Sequence, residues 1–303
     1  MKKRRGLSLI QKRNAKGFLF ILPWLIGFLV FYVRSLIMNI QFSFSNLSIS
    51  PTGGYQLEWV GFDNYIYLFR VHGSFKQVLT SSITNMLIDV PLIIFFSLFI
   101  AILLNHKFKG RGIVRAIFFL PVILNSEAVK SAMELLSAYM VGGVNSSSSE
   151  LASGSSGIDT AYFIELFKNI AMPDKLLDYI VNAVSRVKEI INGSGVQIVL
   201  FIAALQSIPG SMYEVAKIEG ATGYETFWKV TFPMVMPHII TNLVYTIIDR
   251  FAASEVVSLS YETAFKNLIY GQSSAMSVVS TILVGIILVV VVGIIQKRTF
   301  YYN

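Results

Sequence analysis

Eight polar or ionisable side chains interrupt or flank stretches that are otherwise apolar: Asn85, Asp89, Asn125, Glu127, Gln206, Asn242, Tyr245 and Asp249. Ionisable groups are costly in hydrocarbon and turn toward a cavity or a partner. Two kinds of chemistry are open to each of the eight. One is a hydrogen bond that joins two membrane helices. The other is a place on a polar path across a bilayer, where amides and carboxylates replace water around a solute. Asn242, Tyr245 and Asp249 have i,i+3 and i,i+4 spacings, so they share one helix face and form the best trio for such a path. Catalytic patterns are absent from the chain. There is no G-x-x-x-x-G-K phosphate loop, no G-x-S-x-G elbow and no H-E-x-x-H pair. His72, His106 and His238 are scattered without the spacing a metal site needs, and the chain has no cysteine.

The elements that must hold these residues are membrane spans. Hydrophobic residues make up 54% of the 303 and charged residues 14%, with a mean hydropathy of +0.64, more than a soluble domain of this length needs for a core. A spanning helix requires roughly 20 mostly apolar residues, because every backbone hydrogen bond must then be made internally. The fold expected is all-α: a polytopic membrane protein with six transmembrane helices and an extracytoplasmic helical insertion. A basic N-terminus, residues 1–17, precedes the first span at 18–44, and residues 45–82 form a loop outside. Within a core of five further spans at 83–298, the second covers Ile83 to Leu104. The third begins near Val114, and beyond Pro121 it becomes polar. The others centre on Val196 to Ile208, Met234 to Ile248 and Ser277 to Ile295, before a tail at 299–303.

The insertion, 141–194, contains the serine- and glycine-rich stretch Asn145 to Gly157 and then two amphipathic segments, about Asp159 to Ala171 and Asp174 to Ile191. It is expected to form an outer cap. Trp59 to Lys76 and Arg250 to Gly271 read as outside loops. The net charge of +8 sits beside the spans rather than on a nucleic-acid-binding face. Assigned this way, the inside segments hold about fifteen Lys and Arg against Glu214, Glu219 and Glu225, so both termini are expected in the cytoplasm.

Between the fourth and fifth spans, Ser211 to Pro237 reads SMYEVAKIEGATGYETFWKVTFPMVMP. Helix formers run to Glu219, glycines follow at 220 and 223, and helical residues resume until Pro233, which predicts a helix, a glycine turn and a second helix. This stretch resembles the EAA loop of binding-protein-dependent ABC importer permeases, whose pattern is E-A-A, three residues, G, nine residues, I-x-L-P. Glu214, Val215, Ala216, Gly220, Val230, Phe232 and Pro233 keep its order and spacing, with apolar exchanges at 215, 230 and 232. Glu219, Gly220 and Ala221 are similar to the D-G-A of many sugar permeases. The phrases LFILPWLIGFLVFYV, WVGFDNY from Trp59, FFLP from Phe118 and FIAALQSIP from Phe201 resemble the subclass that imports disaccharides, oligosaccharides and glycerol phosphate diesters.

The resemblance implies a permease subunit in a bacterial cell membrane, without its own ATPase site. ATP and Mg would be bound by two separate cytoplasmic ATPase subunits. A second, non-identical permease and an extracytoplasmic solute-binding protein are the other implied partners. The helix at 211–219 would be the coupling helix that docks on an ATPase. The residues implied in coupling are Glu214, Ala216, Glu219, Gly220, Ala221 and Pro233, with Glu214 either pairing with a basic ATPase group or facing water. Glu225, outside the pattern, is expected to be dispensable. Two alternatives remain: an importer of the same class for a non-sugar solute, and an ion-coupled secondary transporter, which intramembrane Asp89 and Asp249 would favour and the EAA pattern opposes.

Overall fold

The computed structural model describes residues 9–49, 53–106, 109, 110, 112–114, 116 and 174–297. These are mostly helical. Among the described residues four stretches are long and apolar enough to cross a bilayer: Gly17–Ser43, Phe75–Asn105, Gly223–Ala252 and Tyr270–Gln296. A fifth is counted if the bent pair Val184–Gly193 and Gly195–Gln206 is one span. The expected third span lies outside the described residues except for Val114 and Ala116, and so do Asn125, Glu127 and the serine-rich stretch. The chain divides into two compact units, Met1–Ser82 with Ala253–Ile286, and Ile83–Ala252 with Ile287–Asn303.

In the first unit, α1 (Leu9–Gly27) runs through a π turn (Phe28–Val33) into α2 (Arg34–Ser43). No residue of this span's most apolar window is buried within the chain. Where an outside loop was expected, the structure has an antiparallel hairpin, β1 (Ser45–Ile49) with β2 (Tyr55–Trp59), then α3 (Asp63–Arg70). The Asn64 amide holds the junction by donating to the carbonyls of Ser43 at 3.0 Å and Ser45 at 3.1 Å. The second expected loop contains α10 (Glu255–Phe265), whose first turn receives Ser82 Oγ at 3.3 Å from the Val256 amide. Short amphipathic elements of this kind lack the long apolar run that marks a span, and local hydrogen bonds rather than hydropathy define them.

The second unit carries the 83–105 portion of α4 (Phe75–Asn105), α5 (Asp174–Gly193), α6 (Gly195–Gln206), α7 (Gly210–Ile218), α8 (Gly223–Thr226) and α9 (Phe232–Ala252). α11 (Tyr270–Gln296) closes the described chain. α5 precedes α6 across a 52° bend at Ser194, so the last residues of the expected insertion are helical up to Gly193. The apolar core of this unit joins Ala101 and Leu104 to Ile198, Phe201, Ile202, Leu205, Ile208 and Val235.

A buried polar seam runs beside that core. Asn242 Nδ2 donates to the Gln197 carbonyl at 3.0 Å, Gln197 Nε2 donates to Thr246 Oγ1 at 3.3 Å, and Thr246 Oγ1 donates back to the Asn242 carbonyl at 2.7 Å. All three side chains are fully or almost fully buried. The seam ties α6 to α9, the two helices whose ends lead into and out of the segment between them.

Candidate coupling hairpin and polar residues of the spans

The segment between α6 and α9 folds as a helical hairpin. Pro209, with ψ at 131°, is not helical and caps α7 without a side-chain bond. Ala216 faces inward and is buried, and the Tyr213 ring packs against the apolar core while its hydroxyl meets Thr231 Oγ1 at 3.3 Å. Glu214, Val215, Lys217, Ile218 and Glu219 therefore point out. Ile218 is 85% exposed and Val215 53%, which is far from the usual fate of large apolar side chains at a helix end.

Gly220 terminates α7. Its φ is +74°, and two backbone bonds satisfy carbonyls that the helix would otherwise leave unpaired. The Ala221 amide reaches Ala216 at 2.9 Å and the Gly220 amide reaches Lys217 at 3.2 Å, the double bond of a Schellman motif with glycine in the left-handed position. No atom lies within 4 Å of where a Cβ on Gly220 would be. The requirement for glycine is thus conformational.

Thr222 begins the second arm. Its amide and hydroxyl both donate to Glu225 Oε2 at 2.9 Å, and the Glu225 amide donates to Thr222 Oγ1 at 3.3 Å. This is a reciprocal capping box. Glu225 also lies 3.6 Å from Lys229. Glu225, outside the pattern, thus holds the entry of the second arm. α8 then widens into a π turn at Phe227–Thr231 before α9. Pro233 explains the widening, since its ring clashes with the carbonyl four residues back and its nitrogen donates no bond. Tyr224, Trp228 and Phe232 follow one another along this arm, the first pair edge-on with ring centroids 6.3 Å apart and the second tilted at 5.2 Å. Tyr224 is 75% exposed. Beneath the hairpin a cleft of about 400 Å³ is bounded by Asn105 and His106 at the end of α4 and by Tyr213, Lys217, Thr226 and Phe227.

The described residues singled out in the spans have different surroundings. Asp89 is buried and accepts from Arg186 Nη2 at 3.1 Å. Asn85 and Gln206 are exposed. The trio on α9 divides: Asn242 is spent on the seam, Tyr245 is 37% exposed, and Asp249 is half-buried with an interaction of its own. Arg186, Gln197, Thr246 and Arg250 were missed by sequence reasoning. Arg186 and Arg250 had a visible signal, a cation in an amphipathic helix and another at the end of an apolar run. Gln197 and Thr246 had none beyond polarity. Arg250 Nη2 donates to the Glu189 carbonyl at 2.9 Å and so caps the last turn of α5.

Helices long and apolar enough to cross a bilayer, with an exposed helical hairpin between two bonded ones, define a membrane component. The chain belongs to the binding-protein-dependent transport system inner membrane component family, whose family model matches residues 66–301. It is 30% identical to the probable ABC transporter permease protein YesP of Bacillus subtilis, over 95% of this chain and 91% of that one. It is 27% identical to the multiple sugar-binding transport system permease protein MsmF of Streptococcus mutans, over 93% and 95%. Its fold is similar to that of a chain from a bacterial alginate ABC transporter solved with an alginate pentasaccharide-bound periplasmic protein, with a TM-score of 0.59 at 19% identity, covering 95% of this chain and 96% of that one.

Proposed function

We propose that this permease passes a sugar or oligosaccharide, delivered by a solute-binding protein, across the cell membrane, and that two separate ATPase subunits and a second, non-identical permease complete the importer. Both termini then lie in the cytoplasm, and the hairpin at 211–233 faces the ATPases. The observation that carries this reading is the hairpin itself. Val215, Ile218 and Tyr224 are large, apolar and exposed, and Glu214 and Glu219 lie beside them. An exposed apolar patch with a polar rim suits a docking interface.

The buried seam between α6 and α9 supports a mechanism. A push on the hairpin reaches two bonded helices at once, and packed elements joined in this way move as a rigid body. Ala216 and Gly220 set the angle of α7, Ala221 completes its cap, and Pro233 sets the start of α9. Glu214 and Glu219 are left for the partner. On this reading Asn85, Gln206 and Tyr245 offer polar groups to a hydroxyl-rich solute, and Asn125 and Glu127, outside the described residues, join them if the third span lines the path. Asp89 and Asn242 are already committed to protein partners. The sugar cargo is supported by the names of the relatives, which extend over nearly the whole chain.

The complete complex in proteoliposomes tests the proposal through oligosaccharide uptake with receptor present, comparing intact ATPases with a hydrolysis-deficient form. Uptake should require the intact form. Uptake driven by an ion gradient with the deficient ATPases would replace the proposal by a secondary transporter.

A further inference from the structure

The β1–β2 hairpin has two unlike faces. Opposed residues of an antiparallel pair project to the same side. The register Ser45 with Trp59, Leu47 with Leu57 and Ile49 with Tyr55 therefore gathers Leu47, Ile49, Tyr55, Leu57 and Trp59 on one face. Asn46, Ser48, Gln56 and Glu58 make the other. The apolar face holds no Asp, Glu, Lys or Arg, yet Trp59 is 70% and Ile49 61% exposed. An isolated two-stranded ribbon is marginal in water unless its apolar face packs against something. Something must cover this one.

The surface continuous with that face is a span. Phe42 of α2 meets Tyr55 edge-on with centroids 5.6 Å apart, and Phe44, directly after α2, stacks on Trp59 at 5.5 Å. The Gly17–Ser43 span from which both phenylalanines emerge leaves its apolar window wholly unburied within the chain. Phe44 also meets Phe62 at 5.2 Å, and α3 begins there with Phe62, Ile66 and Phe69 exposed at i,i+4,i+7 spacing. A second amphipathic element thus starts at the same level. Tyr and Trp at a span end are the side chains that favour the headgroup region, where an apolar ring and a polar edge are both accommodated.

We infer that the β1–β2 hairpin is an anchor in the membrane–water interface, its Leu47, Ile49, Tyr55, Leu57 and Trp59 face seated at the boundary between lipid headgroups and acyl chains. The occupant is lipid rather than another protein for two reasons. The face continues the exposed apolar surface of a span, and it offers no charged group for a protein partner to pair with. The polar face, with Glu58, is then left to water. Partition of an amphipathic element into this zone scales with its apolar area and needs no specific contact.

The test uses the complete complex in lipid nanodiscs, with cysteine-free partner subunits. Since this chain has no cysteine, single cysteines at Tyr55, Gln56, Leu57, Glu58 and Trp59 each take one nitroxide label. Collision with oxygen, which concentrates in lipid, is compared with collision with a water-soluble nickel chelate. The oxygen-to-nickel ratio should alternate with period two, high at 55, 57 and 59 and low at 56 and 58. If a change at 57 or 59 prevents assembly, labels at Leu47 and Ile49 report the same face across the ladder. A ratio uniformly low at all positions, as in water, overturns the inference. So does shielding of 55, 57 and 59 from both reagents, which would mean that a protein covers the face.

Discussion

The Arg250 guanidinium occupies the space above Gly193 that a Cβ would need: the ideal Cβ position lies 1.5 Å from Nη2. From there Nη2 reaches the Glu189 carbonyl at 2.9 Å, so one glycine admits the cation that caps α5 just before its 52° bend into α6. A cation at a helix C-terminus and a charge-assisted bond to a carbonyl of its last turn are each worth about 1 kcal/mol. Gly193→Ala should displace the guanidinium and lose about that much. Arg250→Ala should lose a similar amount, and the double variant little more than either single one. Thermal unfolding of the detergent-solubilised complex, read as a double-mutant cycle, checks this. Additive losses would mean that the two residues act independently.

At the hairpin the substitutions to compare are Gly220→Val and Gly220→Asn. With φ at +74° and open space around the missing Cβ, only backbone strain distinguishes them. A β-branched residue is poorly suited to this region, at a cost of about 1–2 kcal/mol, whereas asparagine tolerates it. Valine should lower receptor-stimulated ATP hydrolysis and uptake together, and asparagine should retain most of both. Equal activities in the two variants would show that the angle of α7 does not govern coupling.

That turn was legible in the sequence because its signals are local: a run of helix formers to Glu219, then glycines at 220 and 223. Hydropathy also pointed to 18–44 and 83–104, where the structure has helices long and apolar enough to cross a bilayer, Gly17–Ser43 and Phe75–Asn105. The β1–β2 hairpin was not seen, although Tyr55, Leu57 and Trp59 alternate with Gln56 and Glu58. Five residues of alternation are too few to stand out beside runs several times longer. The partners of Asp89 and Asn242 were invisible for a different reason. Arg186 is 97 positions from Asp89, and Gln197 is 45 from Asn242. Only tertiary packing decides which polar residue in a span is spent on a neighbour and which remains open.

The Asp89–Arg186 pair should respond asymmetrically to substitution. The Asp89 side chain is 12% exposed and that of Arg186 41%. Removing Arg186 strands a carboxylate among apolar side chains, whereas removing the charge of Asp89 leaves a long cation able to reach water or headgroups. Arg186→Ala should therefore reduce assembled complex more than Asp89→Asn does. Quantifying the co-purified second permease measures this. The reverse order would mean that Arg186, rather than Asp89, is the buried partner.

Asn242 and Tyr245 sit on one face of α9 and were equal candidates for the solute path, but their surroundings now assign them different consequences. Asn242 is buried and donates to the Gln197 carbonyl, inside a seam closed by Thr246. Replacing it by alanine removes that bond and opens a small void, and membrane hydrogen bonds of this kind average about 0.6 kcal/mol. Asn242→Ala should lower thermal stability slightly and slow uptake at saturating solute, because the link from hairpin to α9 is loosened. Its half-saturating concentration of receptor-bound solute should not move. Tyr245 is 37% exposed on the same helix, so Tyr245→Ala also costs some packing. If its hydroxyl serves the path, this variant should raise the half-saturating concentration or alter the preference among oligosaccharides. Uptake kinetics in proteoliposomes separate the two patterns. A change in solute preference with Asn242→Ala, and none with Tyr245→Ala, would reverse the assignment and place the path on the seam side of α9.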